Sequence, residues 1–312
     1  SAQQSNVTSF GVMTVAIITL ETFAGMWINS FIVSVLCIAW IKRKSLNSND
    51  KILLLLGCFR FLYLCFSWAY SFLSIIYPNY LYVHPTHELL LSISNFFDCS
   101  TLWVSACLCG FYCIKIVNFR NRFFMYLKGK IDRIVPWLLL GSVLLSLVIS
   151  SFLYDIVDKA QCNSRRSTGQ GNFLKVSGKM DDVFFGIYFI YGFGFVTSFM
   201  AVISSVLLLL FSLWRHKCKM QTNSMKNLSM DAHIKAMKSI LSILVMYSIN
   251  FLFVTLTLIP SRKEENPMMF LIYVFLYAFP GVHSIILIFS NPKLKKTLLR
   301  ILSCVKCKVC MR

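Results

Sequence analysis

The chain has 312 residues, of which 57% are hydrophobic and only 14% charged. That balance excludes an ordinary soluble domain and indicates a membrane protein. The formal net charge of +19 does not signal a nucleic-acid surface, because the bases are confined to alternate gaps between apolar segments.

Seven such segments are predicted as membrane-spanning helices, at 10–41, 52–76, 89–118, 134–154, 183–214, 239–259 and 268–290. Each is long enough for a ~30 Å hydrocarbon core, which takes ~20 helical residues. Of the 31 Lys and Arg, 23 lie in 42–51, 115–133, 215–238 and 293–312; the other gaps hold 7, and Arg60 alone sits inside a segment. Short basic loops stay cytoplasmic. The expected architecture is therefore an all-α seven-transmembrane bundle of the G-protein-coupled receptor type. It forms a single domain over 1–312, with an extracellular N-terminus and a basic cytoplasmic tail at 291–312. The expected location is the plasma membrane, where the basic face meets anionic inner-leaflet lipid.

Before the first segment, Asn6-Val-Thr8 is a glycosylation acceptor on the extracellular side. Within that segment Glu21, Gly25 and Asn29 recur every fourth residue and share one helical face. The second segment carries Arg60. The third carries Ser94, Asp98, Thr101 and Ser105, again one stripe. Ionisable groups in hydrocarbon are costly and face the bundle interior. Helical rise puts Asp98 about 14 Å from the outer edge and Arg60 about 13 Å from the inner edge, so their depths nearly coincide. Two roles stand open for Asp98: an ion pair with Arg60, or an anchor for a cationic ligand.

In the loop 155–182, Cys162 lies too far above Cys99 for a disulfide. The basic loop 215–238 runs from Asp231 into the sixth segment without Gly or Pro, so that helix extends beyond the membrane. Asn250 adds an amide to the sixth segment. Tyr273, Tyr277, Gly281 and Ser284 form the inward stripe of the seventh. In the tail, Cys304, Cys307 and Cys310 lack a fourth ligand for zinc. Juxtamembrane cysteines among lysines fit S-palmitoylation, and the alternative is free thiols in a frayed tail. No catalytic motif, cofactor site or metal site is expected. No internal repeat supports a transporter with duplicated halves.

The segment edges carry a specific set of motifs. The first segment contains Gly25-Met-Trp-Ile-Asn-Ser-Phe-Ile32. The third contains Trp103-Val-Ser-Ala-Cys-Leu108 and ends Phe111-Tyr-Cys-Ile-Lys-Ile-Val-Asn-Phe119. The fifth ends Ser212-Leu-Trp-Arg-His-Lys-Cys-Lys-Met220, and the sixth opens Ala232-His-Ile-Lys-Ala-Met237. The seventh reads Pro280-Gly-Val-His-Ser284, then Asn291-Pro-Lys-Leu-Lys295. Over nearly its whole length the chain resembles the bitter taste receptor family (taste receptor type 2). The DRY, CWxP and NPxxY motifs of rhodopsin-like receptors are absent.

The resemblance implies a receptor for small bitter-type molecules that signals through a heterotrimeric G protein of the gustducin/inhibitory type. It implies ligand-binding roles for Ser94, Asn95, Phe97, Asp98, Asn250, Tyr273 and Tyr277. It implies coupling or switching roles for Tyr112, Lys115, His216, His233 and Lys235, and for Arg60, Asn29, His283 and Ser284 deeper in the bundle. An acidic pocket position favours a cationic or steroid-like amphiphile. The chain departs from the family at Ser94 (often tryptophan), Tyr273 (often glutamate) and Ser198 (commonly proline). The usual sequon of the second extracellular loop is also missing. The competing readings are a vomeronasal-type pheromone receptor, another seven-helix receptor, or a membrane transporter.

Overall fold

The computed structural model describes residues 9–81, 83–116, 122–167, 192–212, 214, 227–257 and 267–310. Among them there is no strand. In chain order the helices are α1 (Ser9–Arg43), α2 (Ser48–Ile76), the short α3 (Pro78–Leu81), α4 (Thr86–Ile116), α5 (Arg122–Ser167), α6 (Gly192–Ser212), α7 (Asn227–Thr257), α8 (Pro267–Ser290) and α9 (Pro292–Cys310). Six of these, α1, α2, α4, α5, α6 and α8, are long and apolar enough to cross a membrane, and α7 carries a shorter apolar stretch at Leu241–Leu256. The chain is thus a seven-helix bundle with an added helix at its C-terminal end.

The helices surround α4, the most deeply buried of them. α4 packs against α2 and α5, α2 against α1, α1 against α8, and α8 against α7. Two apolar clusters hold the bundle. One joins Leu36, Leu56, Leu108, Val135 and Leu287 at the end nearer the basic loops. The other joins Leu102, Val206, Ile243, Tyr247 and Phe279 between α4, α6, α7 and α8. The outer surface is equally apolar: Trp27 is 78% and Trp137 73% exposed. Such a surface is tolerable only against lipid. Outward serines and threonines return their hydroxyls to the backbone one turn earlier, as Ser151 does to the Leu147 carbonyl (2.9 Å) and Thr255 to that of Phe251 (2.8 Å). No polar group is then left facing hydrocarbon unpaired at those positions.

α1 and α8 touch backbone to backbone where Gly25 meets Gly281. A Cβ on Gly281 would stand 3.3 Å from the Gly25 Cα. Small residues permit this approach, which aligns Asn29 with Ser284 one turn further along.

Two helices differ from the apolar pattern. α5 runs well past both ends of the apolar run 134–154. The tail, expected only to be basic, is the helix α9. Asn291 starts it: its Oδ1 accepts from the backbone N–H of Lys293 (3.0 Å) and Leu294 (3.4 Å). Pro292 follows at the first helical position, where its missing N–H costs nothing. Leu294 is buried in the first apolar cluster, and Lys293 Nζ reaches Asp50 Oδ2 of α2 at 2.7 Å. The Asn-Pro pair therefore acts as a capping signal that turns the chain from α8 into a helix of basic and apolar residues.

Candidate functional site

Asp98, Asn250 and Tyr273 come together. They line a cavity of about 360 Å³ in the half of the bundle away from the basic loops. α4 supplies Leu91, Asp98, Thr101 and Leu102, and α8 supplies Tyr273, Leu276, Phe279 and Pro280. Tyr63 of α2, Leu153 of α5, Phe195 of α6, and Asn250 and Val254 of α7 complete the wall. The lining is mostly apolar with a few convergent polar groups, the usual character of a small-molecule site. Pro280 has no N–H, which leaves the Leu276 carbonyl one turn earlier without its helical donor beside the cavity. Beneath Asn250 a second space of about 10 Å³, bounded by Ser198 and Tyr247 among others, has room for about one water molecule.

Asp98 makes no ion pair among the described residues. Arg60 is turned elsewhere. Fully buried, it donates from Nη1 to Ser284 Oγ (2.8 Å) and from Nη2 to His283 Nδ1, which fixes that ring nitrogen as acceptor. Ser284 donates onward to Asn29 Oδ1 (2.8 Å), and Asn29 donates to the Gly25 carbonyl (2.8 Å). Arg60, Asn29, His283 and Ser284 thus form one network across α1, α2 and α8. The His283 ring also stands edge-on to Tyr247 of α7, with centroids 5.0 Å apart. The network couples four helices directly below the cavity.

The other expected ligand residues lie off the cavity wall. Asn95 donates to Ser150 Oγ of α5 (3.2 Å). Ser94 is buried. Phe97 stacks on Phe66 of α2, with centroids 5.6 Å apart. Tyr277, one turn from Tyr273, donates to the Ser67 carbonyl (2.9 Å) and bonds the Ser71 hydroxyl, fastening α8 to α2. Of the cavity residues that the sequence did not single out, Tyr63 lies three residues beyond Arg60 on an inward face of α2. The apolar ones carried no signal that separates them from core.

At the basic end, Tyr112 donates to Asn49 Oδ1 (2.9 Å). Lys115 is exposed, 3.3 Å from Asp132 and 4.7 Å above the Phe111 ring centroid. His233 and Lys235 lie on α7, ahead of its apolar stretch. Cys304 is an exposed free thiol on α9, and Cys307 and Cys310 follow on the same helix. His216 and Asn6 lie outside the described residues.

The family model described as Taste receptor protein (TAS2R) matches residues 7–306. The sequence is similar to taste receptor type 2 member 9 of Papio hamadryas, 31% identical over 307 residues, covering 94% of each chain. It is 31% identical to the Homo sapiens protein of the same name over 308 residues, again covering 94% of each. Taste receptor type 2 member 105 of Mus musculus is 30% identical over 296 residues, covering 93% of this chain and 96% of that one.

Proposed function

The chain belongs to the taste receptor type 2 family of multi-pass membrane receptors, and from that premise we propose how it recognises its agonist and couples it to a G protein. The family makes it a bitter-type chemoreceptor rather than an enzyme, a transporter or a pheromone receptor. The agonist occupies the cavity bounded by Asp98, Asn250 and Tyr273. The single observation that supports this reading is the convergence of those three polar side chains, from α4, α7 and α8, on one space of about 360 Å³. That volume falls at the lower end of the ~300–1,000 Å³ range for small-molecule sites. An unpaired carboxylate in a membrane interior is costly, and a cationic amphiphile, steroid-like ones included, supplies the missing charge. With few polar anchors the natural scale of affinity is micromolar, about −8 kcal/mol.

The 23 bases in alternate gaps of the sequence support an orientation with the N-terminus outside and α9 on the cytoplasmic face. The cavity then opens toward the exterior, and Asn6 is available for glycosylation. Cys304, Cys307 and Cys310 are palmitoylation sites that anchor α9 to the inner leaflet. The partner is a heterotrimeric G protein of the gustducin/inhibitory type, met by the basic end around Tyr112, Lys115, His216, His233 and Lys235. An agonist shifts the receptor only by contacting the active arrangement better than the inactive one. The active arrangement opens a cleft between α4, α6 and α7 at the cytoplasmic face, beside the Arg60–His283–Ser284–Asn29 network that ties α1, α2 and α8.

Calcium release tests this in cells co-expressing the chain with a gustducin-containing chimeric G protein, across charged and neutral bitter compounds. A concentration-dependent response to one or more cations supports the reading. A flat response to the whole panel, with surface expression proven by an N-terminal epitope on intact cells, refutes it.

A further inference from the structure

Where the α2–α4 connection enters α4, His84 and Glu88 meet Asp158 of α5, and the three bring one ligand atom each within 4.8 Å of one another. His84 Nδ1 lies 3.3 Å from Glu88 Oε1 and 3.6 Å from Asp158 Oδ1. A tetrahedral zinc ion with bonds of about 2.0–2.1 Å holds neighbouring ligand atoms about 3.3–3.4 Å apart. The two separations are close to that edge length.

A histidine between two carboxylates also arises as a plain ion pair. Glu88 argues for more. Its side chain is fully buried, and its second oxygen, Oε2, has no hydrogen-bond partner among the described residues. Burying a carboxylate with one oxygen unsatisfied is unfavourable unless something neutralises it. His84 and Asp158 are partly open, 44% and 32% exposed, so an ion has a path in from solvent.

We propose that His84, Glu88 and Asp158 form a binding site for a divalent transition-metal ion of the zinc type. Imidazole plus two carboxylates suits zinc or a neighbouring first-row ion, whereas magnesium and calcium take oxygen ligands. Three protein ligands leave a fourth position for water, so the site is an exchangeable one. The metal replaces the proton on Nδ1 and bridges the start of α4 to the far end of α5. Leu91, three residues beyond Glu88, and Leu153, five before Asp158, both line the agonist cavity. A bound ion therefore clamps the two helices that frame its outer wall. That the site faces the exterior rests on the orientation proposed above; the ligand set does not.

The test uses the purified full-length chain in lipid nanodiscs, with Cys304, Cys307 and Cys310 changed to serine so that tail thiols do not take up metal. Zinc chloride is titrated and bound metal is measured by equilibrium dialysis. One saturable equivalent is expected. His84→Ala and Asp158→Asn, at partly exposed positions, are each expected to weaken it at least tenfold, and Glu88→Gln to abolish it. Magnesium chloride is expected not to compete. The proposal is overturned if the parent binds no saturable zinc, or if the His84 and Asp158 variants bind it as the parent does. Glu88→Gln is scored only if it keeps the parent's metal-free melting temperature, and the other two variants decide the question without it. The measurement needs neither agonist nor G protein, so its failure leaves the receptor reading standing, and failure of that reading leaves the zinc result intact.

Discussion

The contact between Gly25 and Gly281 gives a prediction whose size can be worked out from the structure. On Gly281 an added Cβ meets the Gly25 Cα at 3.3 Å and the Gly25 N at 3.8 Å, both backbone. Backbone cannot rotate away, so α1 and α8 must part by a few tenths of an ångström. The overpacking cost is ~1–3 kcal/mol. Against it stands the ~1 kcal/mol gained on replacing a helical glycine by alanine. Gly281→Ala should therefore lose up to ~2 kcal/mol, and Gly281→Val more, since its branched side chain adds bulk at the same contact. Gly25→Ala fails differently. Its Cβ would stand 2.8 Å from the Leu64 Cδ1, the end of a flexible side chain, and only 3.8 Å from the Gly281 Cα. Leu64→Ala, costly by itself at a fully buried site, should therefore add less than its own cost to Gly25→Ala, a coupling of ~1 kcal/mol or more, and should add its full cost to Gly281→Ala. Gly141→Ala is the control, because nothing lies within 4 Å of its Cβ. Melting temperatures of the purified variants in lipid nanodiscs, with the double mutants, give the answer. Equal stability of Gly25→Ala, Gly281→Val and Gly141→Ala would refute the backbone contact and with it the α1–α8 alignment.

Tyr277→Phe removes the bonds to Ser67 and Ser71 and should cost about 1 kcal/mol of stability while leaving agonist potency nearly unchanged; Tyr273→Phe should show the reverse, as read by melting and calcium dose–response. Asn291→Ala removes the cap of α9 and should cost ~1 kcal/mol, with a matching loss of amide protection in the first turn of α9 by hydrogen exchange. Ser284→Ala takes one acceptor from the buried Arg60 guanidinium and should cost ~1.5–3 kcal/mol, seen as reduced surface expression; Ser284→Thr, which keeps a hydroxyl, should recover part of it.

Much of the bundle was legible because a hydrocarbon core sets a minimum helix length, which the apolar runs meet. Hydropathy reads the crossing and not the helix, which is why α5 overshoots 134–154 at both ends through polar residues such as Lys128, Lys130, Asp155 and Lys159. α9 was legible only in part. Its bases and cysteines stood out, while the helix itself needed Asn291 read as a cap and Leu294, Leu298 and Ile301 as an apolar face. Depth along the axis put Asp98 and Arg60 level but says nothing about direction around it. Arg60 points to α8 and Asp98 to the cavity, so equal depth does not become contact. Helical periodicity likewise placed Tyr273 and Tyr277 on one face, yet α8 lies close enough to α2 at Tyr277 for its hydroxyl to be captured there. Asp158 meets His84 and Glu88 only through the packing of α5 on α4, which no local spacing encodes.

The most direct test of agonist binding in this cavity is the calcium dose–response of wild type and Asp98→Asn to matched cationic and neutral agonists, at equal surface expression. The expected result is a loss of potency of roughly tenfold or more for the cations, about 1.4 kcal/mol, with neutral agonists little changed. Equal potency of the two receptors toward every cation would contradict Asp98 as the anchor and remove the agonist from this wall of the cavity.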